Sequence, residues 1–174
     1  MTTNDTAISN LHQLLKSDIC RQASAEVQLH KVLPGWASLA TSLKLKVVIQ
    51  KYLDFVVLQK QEIDQFIEME NINQLPLCNR VMQAFILDTE EKAGYCSDSE
   101  VKDACLLASI QEINHYKISA YGTAAAFANT LGMEATALVF RNAEVNEKQI
   151  DDRLSQLAEH EINLKARTPI VLPG

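Results

Sequence analysis

The sequence predicts an all-α fold, a four-helix bundle with a short additional helix in its long connection. The 174 residues include only 5 Gly and 4 Pro, too few for a protein of strands and tight turns. Hydrophobic residues make up 47% and charged residues 22%, which is typical of a chain that folds around a core. Apolar residues recur at the spacing of one helical face in four long segments.

The first half of the chain is predicted to hold two long helices. The first runs from about Asp5 to Leu33, with Asn4 or Asp5 as its cap, and Pro34-Gly35 is expected to break or kink it. The second runs from about Ser42 to Asn71. Its apolar face comprises Leu45, Ile49, Leu53, Val56, Ile63 and Ile67.

The short helix follows an interruption at Pro76. It is predicted from about Leu77 to Gly94, and the side chains expected to face inward are Val81, Met82, Phe85 and Ile86.

The last two long helices have clear boundary signals. Ser97-Asp98-Ser99-Glu100 is a capping sequence, so the fourth helix is predicted from about Ser99 to Leu131, where Gly132 ends it. The fifth runs from about Glu134 to Glu161. We expect one domain over residues 1–174, with a structured core of about 5–165 and an extended tail over 166–174.

Composition narrows the function classes. The net charge of −6 argues against a general nucleic-acid binder, because phosphate contacts need a basic face. No apolar run approaches the roughly 18 residues of a membrane span. No secretory signal pattern is visible, and the four cysteines lack a CxxC spacing, so we expect free thiols and a cytoplasmic location.

Two carboxylates are predicted to be buried. Glu26 shares a helical face with Leu15, Ile19, Ala23, Leu29 and Leu33, and Glu147 shares one with Ala143, Ile150, Leu154 and Leu157. A buried carboxylate is costly unless it is paired, hydrogen-bonded or bound to a metal. The pattern therefore indicates a bundle with a polar or metal-binding centre.

The fourth helix carries the most specific motifs. They are Ser99-Glu100-Val101-Lys102-Asp103-Ala104, His115-Tyr116, Ile118 and Tyr121-Gly122-Thr123. These motifs resemble the YciE/YciF family of ferritin-like bacterial stress proteins, whose corresponding helix begins N/S-E-V-R/K-D-A and has a V-E-H-Y-E-I-A-x-Y-G-T centre. The similarity extends from about Leu11 to Glu159 and includes Ser24-Ala25-Glu26 and Glu147-Lys148.

The resemblance implies a ferritin-like four-helix bundle, usually dimeric, with carboxylates positioned for a di-metal centre. Two iron ions about 3.5–4 Å apart need bridging and terminal carboxylates from four helices, often with histidines. Iron or manganese would be the cofactor, because hard oxygen ligands suit both metals.

The chain departs from the family where the metal ligands would lie. Asn114 and Lys117 stand where the family motif has glutamates, and Tyr52-Leu53-Asp54-Phe55-Val56 replaces its H-L-E-E-T. The remaining candidate metal ligands are Glu26, Asp54, Glu147 and Asp151, with Asn114, His115 and Lys117 nearby. A lysine near the centre could neutralise a carboxylate directly. We therefore predict a bundle that kept its fold, lost its di-metal centre and holds no cofactor.

Three functions stay open. The preferred one is a non-catalytic protein that resembles bacterial stress-response proteins and acts as a homodimer or through a partner protein. The second is an iron- or manganese-binding protein with oxidoreductase or metal-handling activity, and the third is a small-molecule binder. His115 is interpreted as a hydrogen-bonded core histidine. The apolar width of the second helix over Phe55–Leu58, together with the resemblance, predicts the homodimer.

Overall fold

The computed structural model describes residues 7–73 and 77–167, and within them the chain forms helices and no strand. The all-α prediction is confirmed: four long helices form a ferritin-like bundle, with a shorter helix in the long connection. The helices are α1 Leu11–Leu39, α2 Leu43–Met69, α3 Arg80–Tyr95, α4 Ser99–Thr130, α5 Glu134–Leu157 and, after a π-helical segment at Ala158–Ile162, α6 Asn163–Ala166.

Side-chain caps define where four of the helices begin. Asn10 accepts a hydrogen bond from the Gln13 amide at 2.9 Å. Ser42, Asn79 and Asp98 likewise cap α2, α3 and α4. The predicted start of the first helix near Asp5, with Asn4 or Asp5 as its cap, is therefore wrong, because α1 begins at Leu11 after the Asn10 cap. The interruption at Pro76 and the tail beyond Arg167 lie outside the described residues.

Of the break or kink expected at Pro34-Gly35, the break is wrong, because α1 continues through Pro34 to Leu39. Proline in a helix removes one backbone hydrogen bond. On either side of Pro34, the buried side chains of Leu33 and Trp36 anchor the helix to the core. Burial of this last turn therefore outweighs the local preference for a break.

Gly132 ends α4 as predicted. Its φ of 71° is in the left-handed region, which glycine adopts without a steric cost. The turn reverses the chain, so α4 and α5 pack as an antiparallel pair, and α1 packs against α2 in the same way.

The fifth helix ends at Leu157 rather than Glu161 because the backbone changes its hydrogen-bonding step. The Asn163 amide bonds to the Ala158 carbonyl, five residues back, as in a π-helix. The inward position after Leu157 is consequently Ile162, which is buried, whereas continued α-helical spacing would place Glu161 there.

A buried carboxylate holds the turn between α1 and α2. Asp103 of α4 accepts hydrogen bonds from the Thr41 amide at 2.7 Å, the Thr41 hydroxyl at 2.6 Å and the Ser42 amide at 2.8 Å. Asp103 is only 3% exposed. It therefore fixes one end of the α1–α2 hairpin against the α4–α5 hairpin.

The core consists of two apolar clusters. One contains Leu29, Val56, Ile113 and Ile150, and the other contains Ile19, Ile63, Tyr121 and Ala143. On each long helix, at least one buried polar residue lies between members of the two clusters. This polar layer comprises Gln22, Glu26, Gln59, Asn114, Lys117 and Glu147.

Several side chains of the predicted apolar faces are less buried than expected, and Phe85 of α3 is one of them. Val81 of α3 is exposed, while Met82, its neighbour, is fully buried. Leu53 of α2 is only partly buried. Within the described residues, no helix is both long and apolar enough to cross a membrane.

Candidate functional site

Three of the four long helices direct ionisable side chains into the polar layer. Glu26 comes from α1, Lys117 from α4 and Glu147 from α5, and each is 0% exposed. Apolar neighbours at helical spacing turn each one inward, as the buried stripes of Glu26 and Glu147 predict. The structure therefore brings a cation and two carboxylates together where water has no access.

The Lys117 ammonium lies between the two carboxylates. Its Nζ atom is 3.0 Å from Oε1 and 3.1 Å from Oε2 of Glu26, and 2.6 Å from Oε1 of Glu147. The contact with Glu147 is the shortest of the three. One ammonium thus neutralises one of two buried carboxylates, and the cluster has one carboxylate in excess.

Neutral donors stabilise the same carboxylates. The Tyr121 hydroxyl donates to Oε1 of Glu26. The Asn114 side-chain amide donates to Oε2 of Glu147 at 2.6 Å and to the Glu147 backbone carbonyl at 3.0 Å. Hydrogen bonds to a charged acceptor are stronger than neutral ones, so these donors offset part of the cost of burial.

Two tyrosine rings surround the ammonium. Nζ of Lys117 lies 4.9 Å from the ring centre of Tyr52 and 5.7 Å from that of Tyr121. At these distances the negative ring faces attract a cation. The site thus stabilises a charged lysine by two carboxylates and two aromatic faces.

The pKa values follow from burial and from the charges within the cluster. Burial alone would lower the pKa of Lys117, but attraction to Glu147 and Glu26 outweighs it and raises that pKa. Burial raises the pKa of Glu147, against the opposing attraction of Lys117. Burial and the nearby carboxylates hold the pKa values of Tyr52 and Tyr121 well above their usual range. The lysine therefore stays charged, and both tyrosines stay neutral donors.

The side chains present do not fit a di-metal centre. Such a centre takes carboxylates or histidines from all four helices. Here α2 contributes Gln59 to the layer and Tyr52 beside it, α4 contributes Asn114, and the Lys117 ammonium lies where a cation would be bound. Over residues 7–73 and 77–167, no group of three or more His, Cys, Asp or Glu side chains is arranged to hold a metal ion.

The structure does not bring Asp54 or Asp151 into this cluster. Asp54 is on the exposed face of α2, where it accepts a hydrogen bond from Gln50 at 3.3 Å. Asp151 lies 2.9 Å from Nε2 of His115. His115 is itself largely exposed, so its interpretation as a core histidine is wrong. One helical step of about 100° per residue separates His115 from the inward Asn114.

Sequence reasoning missed Gln22 and Gln59 of the layer, and Tyr52 beside it. Tyr52 lies between the buried Ile49 and Val56 at helical spacing, a signal that could have identified it. Gln59 continues the same face beyond Val56, and both of its amide atoms are buried without a partner in the described chain.

Comparison with known sequences identifies relatives over most of the chain. The family model described as "Domain of unknown function (DUF892)" matches residues 10–167. Protein YciF of Escherichia coli strain K12 is 33% identical over 144 residues, which cover 82% of this chain and 87% of that protein.

Solved structures show the same fold. The crystal structure of the E. coli stress protein YciF matches with a TM-score of 0.83 at 28% identity, covering 90% of this chain and 99% of that chain. The YcfI protein from Rhodopseudomonas palustris matches with a TM-score of 0.80 at 27% identity, covering 89% and 98%.

Proposed function

The chain belongs to the DUF892 family, and from that premise we propose that it is a non-catalytic, YciF-like helical-bundle protein whose centre is an internal ion cluster. One observation carries the proposal: the Lys117 ammonium lies 2.6 Å from Glu147 and 3.0 Å from Glu26, with all three side chains fully buried. An ammonium at this position repels a divalent cation and occupies the carboxylate oxygens that would bind it.

The biological role proposed here comes from a relative. YciF of E. coli is described as a stress protein. Similarity over most of both chains supports a role of the same kind, in a stress response. A cytoplasmic location is part of this proposal. In this proposal the bundle acts as a rigid binding surface, and the ion cluster fixes how its helices pack.

Metal binding is the experiment that tests the ion-cluster proposal. The purified protein is titrated with Fe(II) without oxygen and with Mn(II), and metal per chain is measured after gel filtration. The comparison variant is Asn114→Glu/Lys117→Glu, which replaces both residues by the glutamates of the related motif. Lys117→Met is the matched control, because it removes the ammonium without adding a carboxylate.

The expected result is no stoichiometric metal on the wild-type chain and a gain of metal binding in the double-glutamate variant that exceeds any gain in Lys117→Met. Two metal ions per wild-type chain, lost in Glu26→Gln, would instead support the second candidate. That candidate is an iron- or manganese-binding protein with oxidoreductase or metal-handling activity, which the retained Glu26 and Glu147 favour.

We also propose that the chain acts as a homodimer through α2. Leu43 and Val47 are both exposed one turn apart, and Val57 and Leu58 are exposed farther along the same helix. Beside Leu43, a groove of about 530 Å³ lies between α2 and the end of α5. Apolar exposure of this extent on one helix is typical of an interaction surface.

The dimer is tested by light scattering at micromolar concentration. Leu58→Asp places a charge on the proposed interface, and Val81→Asp places the same charge on an exposed apolar residue of α3, which packs against α1 and α4. We expect a dimer for the wild type and Val81→Asp, and a monomer for Leu58→Asp. A monomeric wild type would refute the dimer and leave a partner protein as the occupant of this surface.

A further inference from the structure

Two cysteines meet where α3 is joined to α4. Cys96 directly follows α3, and Cys105 lies in the second turn of α4. Both are free and half-buried. Neither belongs to the polar layer, and nothing in the proposed function uses them.

The packing of the two helices brings these cysteines together. Phe85 of α3 lies against Tyr116 of α4 with ring centres 5.9 Å apart, and Nζ of Lys92 lies 4.0 Å from Oε2 of Glu112. The two helices are therefore antiparallel neighbours along their length. Cys96, one turn beyond Lys92, consequently lies opposite the first turns of α4, near enough to Cys105 to affect the pKa of that thiol.

A covalent link at this point requires a close approach of the two side chains. Two cysteines form a disulfide when their Cα atoms lie roughly 4.4–6.8 Å apart and their side chains point toward each other. Cys96 has left the helix, with an extended backbone at φ −75° and ψ 108°. Its thiol donates to the Lys92 carbonyl at 3.3 Å, a contact that a small rotation of the side chain releases.

We propose that Cys96 and Cys105 are a thiol pair that a hydroperoxide converts reversibly to an intramolecular disulfide. With hydrogen peroxide, the thiolate of Cys96 attacks one peroxide oxygen, the O–O bond breaks, and a sulfenic acid and hydroxide form; the hydroxide becomes water by taking the proton that the Cys96 thiol released on ionisation. The Cys105 thiolate then attacks the oxidised sulfur. The S–S bond forms, the S–O bond breaks, and hydroxide leaves as water after taking a proton. The two thiols thus give up two electrons, which reduce the peroxide.

The order of the two steps follows from the surroundings of Cys105. Burial raises the pKa of its thiol, and the adjacent Cys96 raises it further, against a smaller opposing effect of the Lys92 ammonium. At neutral pH, a smaller share of Cys105 is therefore thiolate than of a cysteine with the ordinary pKa. Cys105 accordingly resolves the sulfenic acid rather than attacking the peroxide.

The disulfide would fasten the C-terminal end of α3 to α4. The ring it closes contains the connection at Ser97 and Asp98 and the first turn of α4. A cross-link that restricts the unfolded chain stabilises the folded one. The oxidised protein is therefore the form in which α3 is least able to separate from the bundle.

The test treats the reduced full-length chain with graded hydrogen peroxide, followed by intact mass measurement and tryptic mapping without reductant. Trypsin cleaves after Lys92 and Lys102, so the two cysteines fall in separate peptides unless a disulfide joins them. The matched variants are Cys96→Ser and Cys105→Ser, which remove the pair, and Cys20→Ser/Cys78→Ser, which keeps it and removes the other thiols.

We expect the wild type and Cys20→Ser/Cys78→Ser to lose the mass of two hydrogen atoms, to yield one joined peptide pair and to melt at a higher temperature after oxidation. Dithiothreitol should reverse all three changes, and the two single variants should show none of them. Oxidation of either cysteine to sulfinic or sulfonic acid without the joined peptides would overturn the proposal. A disulfide found only between chains would overturn it as well.

Discussion

Replacing Lys117 by methionine tests the ion cluster through stability. The substitution keeps an unbranched side chain of similar length but removes the charge that lies 2.6 Å from Glu147 and 3.0 Å from Glu26. At an effective dielectric constant of about 20, each attraction is worth roughly 5.5–6.5 kcal/mol before desolvation. Both carboxylates would stay buried, each with its own desolvation cost and without its cation. We therefore expect Lys117→Met to lower the free energy of unfolding by about 3–5 kcal/mol at pH 7.

The effect of Lys117→Met should depend on pH. Burial raises the pKa of Glu147, and without the opposing ammonium it rises further above the value of about 4.3 in the unfolded chain. A group whose pKa is raised by folding contributes stability below its unfolded pKa and loses that contribution as pH rises through the folded value. The deficit of the variant should accordingly be small near pH 4 and largest at neutral pH.

Urea unfolding followed by circular dichroism at fixed protein concentration provides the measurement. Lys148→Met is the matched control, because Lys148 is also 2.6 Å from a carboxylate, Glu144, but on the surface. We expect this control to change stability by no more than about 0.5 kcal/mol. The triple variant Glu26→Gln/Lys117→Met/Glu147→Gln should recover most of the loss, since it removes all three charges. Lys117→Met as stable as Lys148→Met at every pH would refute the reasoning.

Three further outcomes can be checked on the same protein. Glu26→Gln should lower the free energy of unfolding by no more than about 1 kcal/mol, or should raise it, because it removes the excess buried charge and keeps an acceptor for Lys117. Urea unfolding measures this free energy, and a loss of bound metal in place of a stability effect would contradict the prediction. Asp103→Asn should lower the free energy of unfolding by about 2–3 kcal/mol, because an amide cannot accept all three hydrogen bonds from the α1–α2 turn; an unchanged urea midpoint would count against the turn anchor. Lysine contacts lower the pKa of Glu161 from 4.5 to about 2, so its contribution to stability should be present above pH 4.5 and lost as pH falls toward 2. The melting temperature of Glu161→Gln should therefore change less with pH over this range than that of the wild type. The same pH dependence in both proteins would contradict the assignment.

The local pattern of the chain was sufficient to predict the helices and the inward direction of the two glutamates. Glu26 and Glu147 each interrupt an apolar face at regular helical spacing, and such a face has one preferred orientation in a bundle. Gly132 and Asp98 determine where α4 ends and begins through short-range backbone geometry. These features depend on residues within one or two turns of each other, which is why the sequence alone reveals them.

Features that depend on distant contacts could not be predicted in this way. The continuation of α1 through Pro34 depends on the burial of Trp36 in the assembled core. The hydrogen bonds of Asp103 join residues about 60 positions apart in the chain. The π-helical step that places Ile162 inward likewise follows from packing at the end of α5. No local pattern contains such information.

The centre of the bundle was only partly predictable. Asn114, Lys117 and Tyr121 follow one another at spacings of three and four residues, so one face of α4 carries all three. The sequence also raised the possibility that a lysine neutralises a carboxylate. That one ammonium contacts two carboxylates from different helices became visible only in the folded chain. The resemblance implies Asp54 and Asp151 as metal ligands. In the structure Asp54 lies on the exposed face of α2 and Asp151 pairs with His115, so neither belongs to the cluster.

The central claim is that an ammonium, rather than a pair of metal ions, lies between Glu26 and Glu147. Crystals grown with Fe(II) in the absence of oxygen test it directly, through an anomalous difference map collected at the iron absorption edge. We predict no anomalous peak between these carboxylates and continuous side-chain density from Lys117 to both of them. Two anomalous peaks about 3.5–4 Å apart, with the lysine displaced, would contradict the account and establish a di-iron centre.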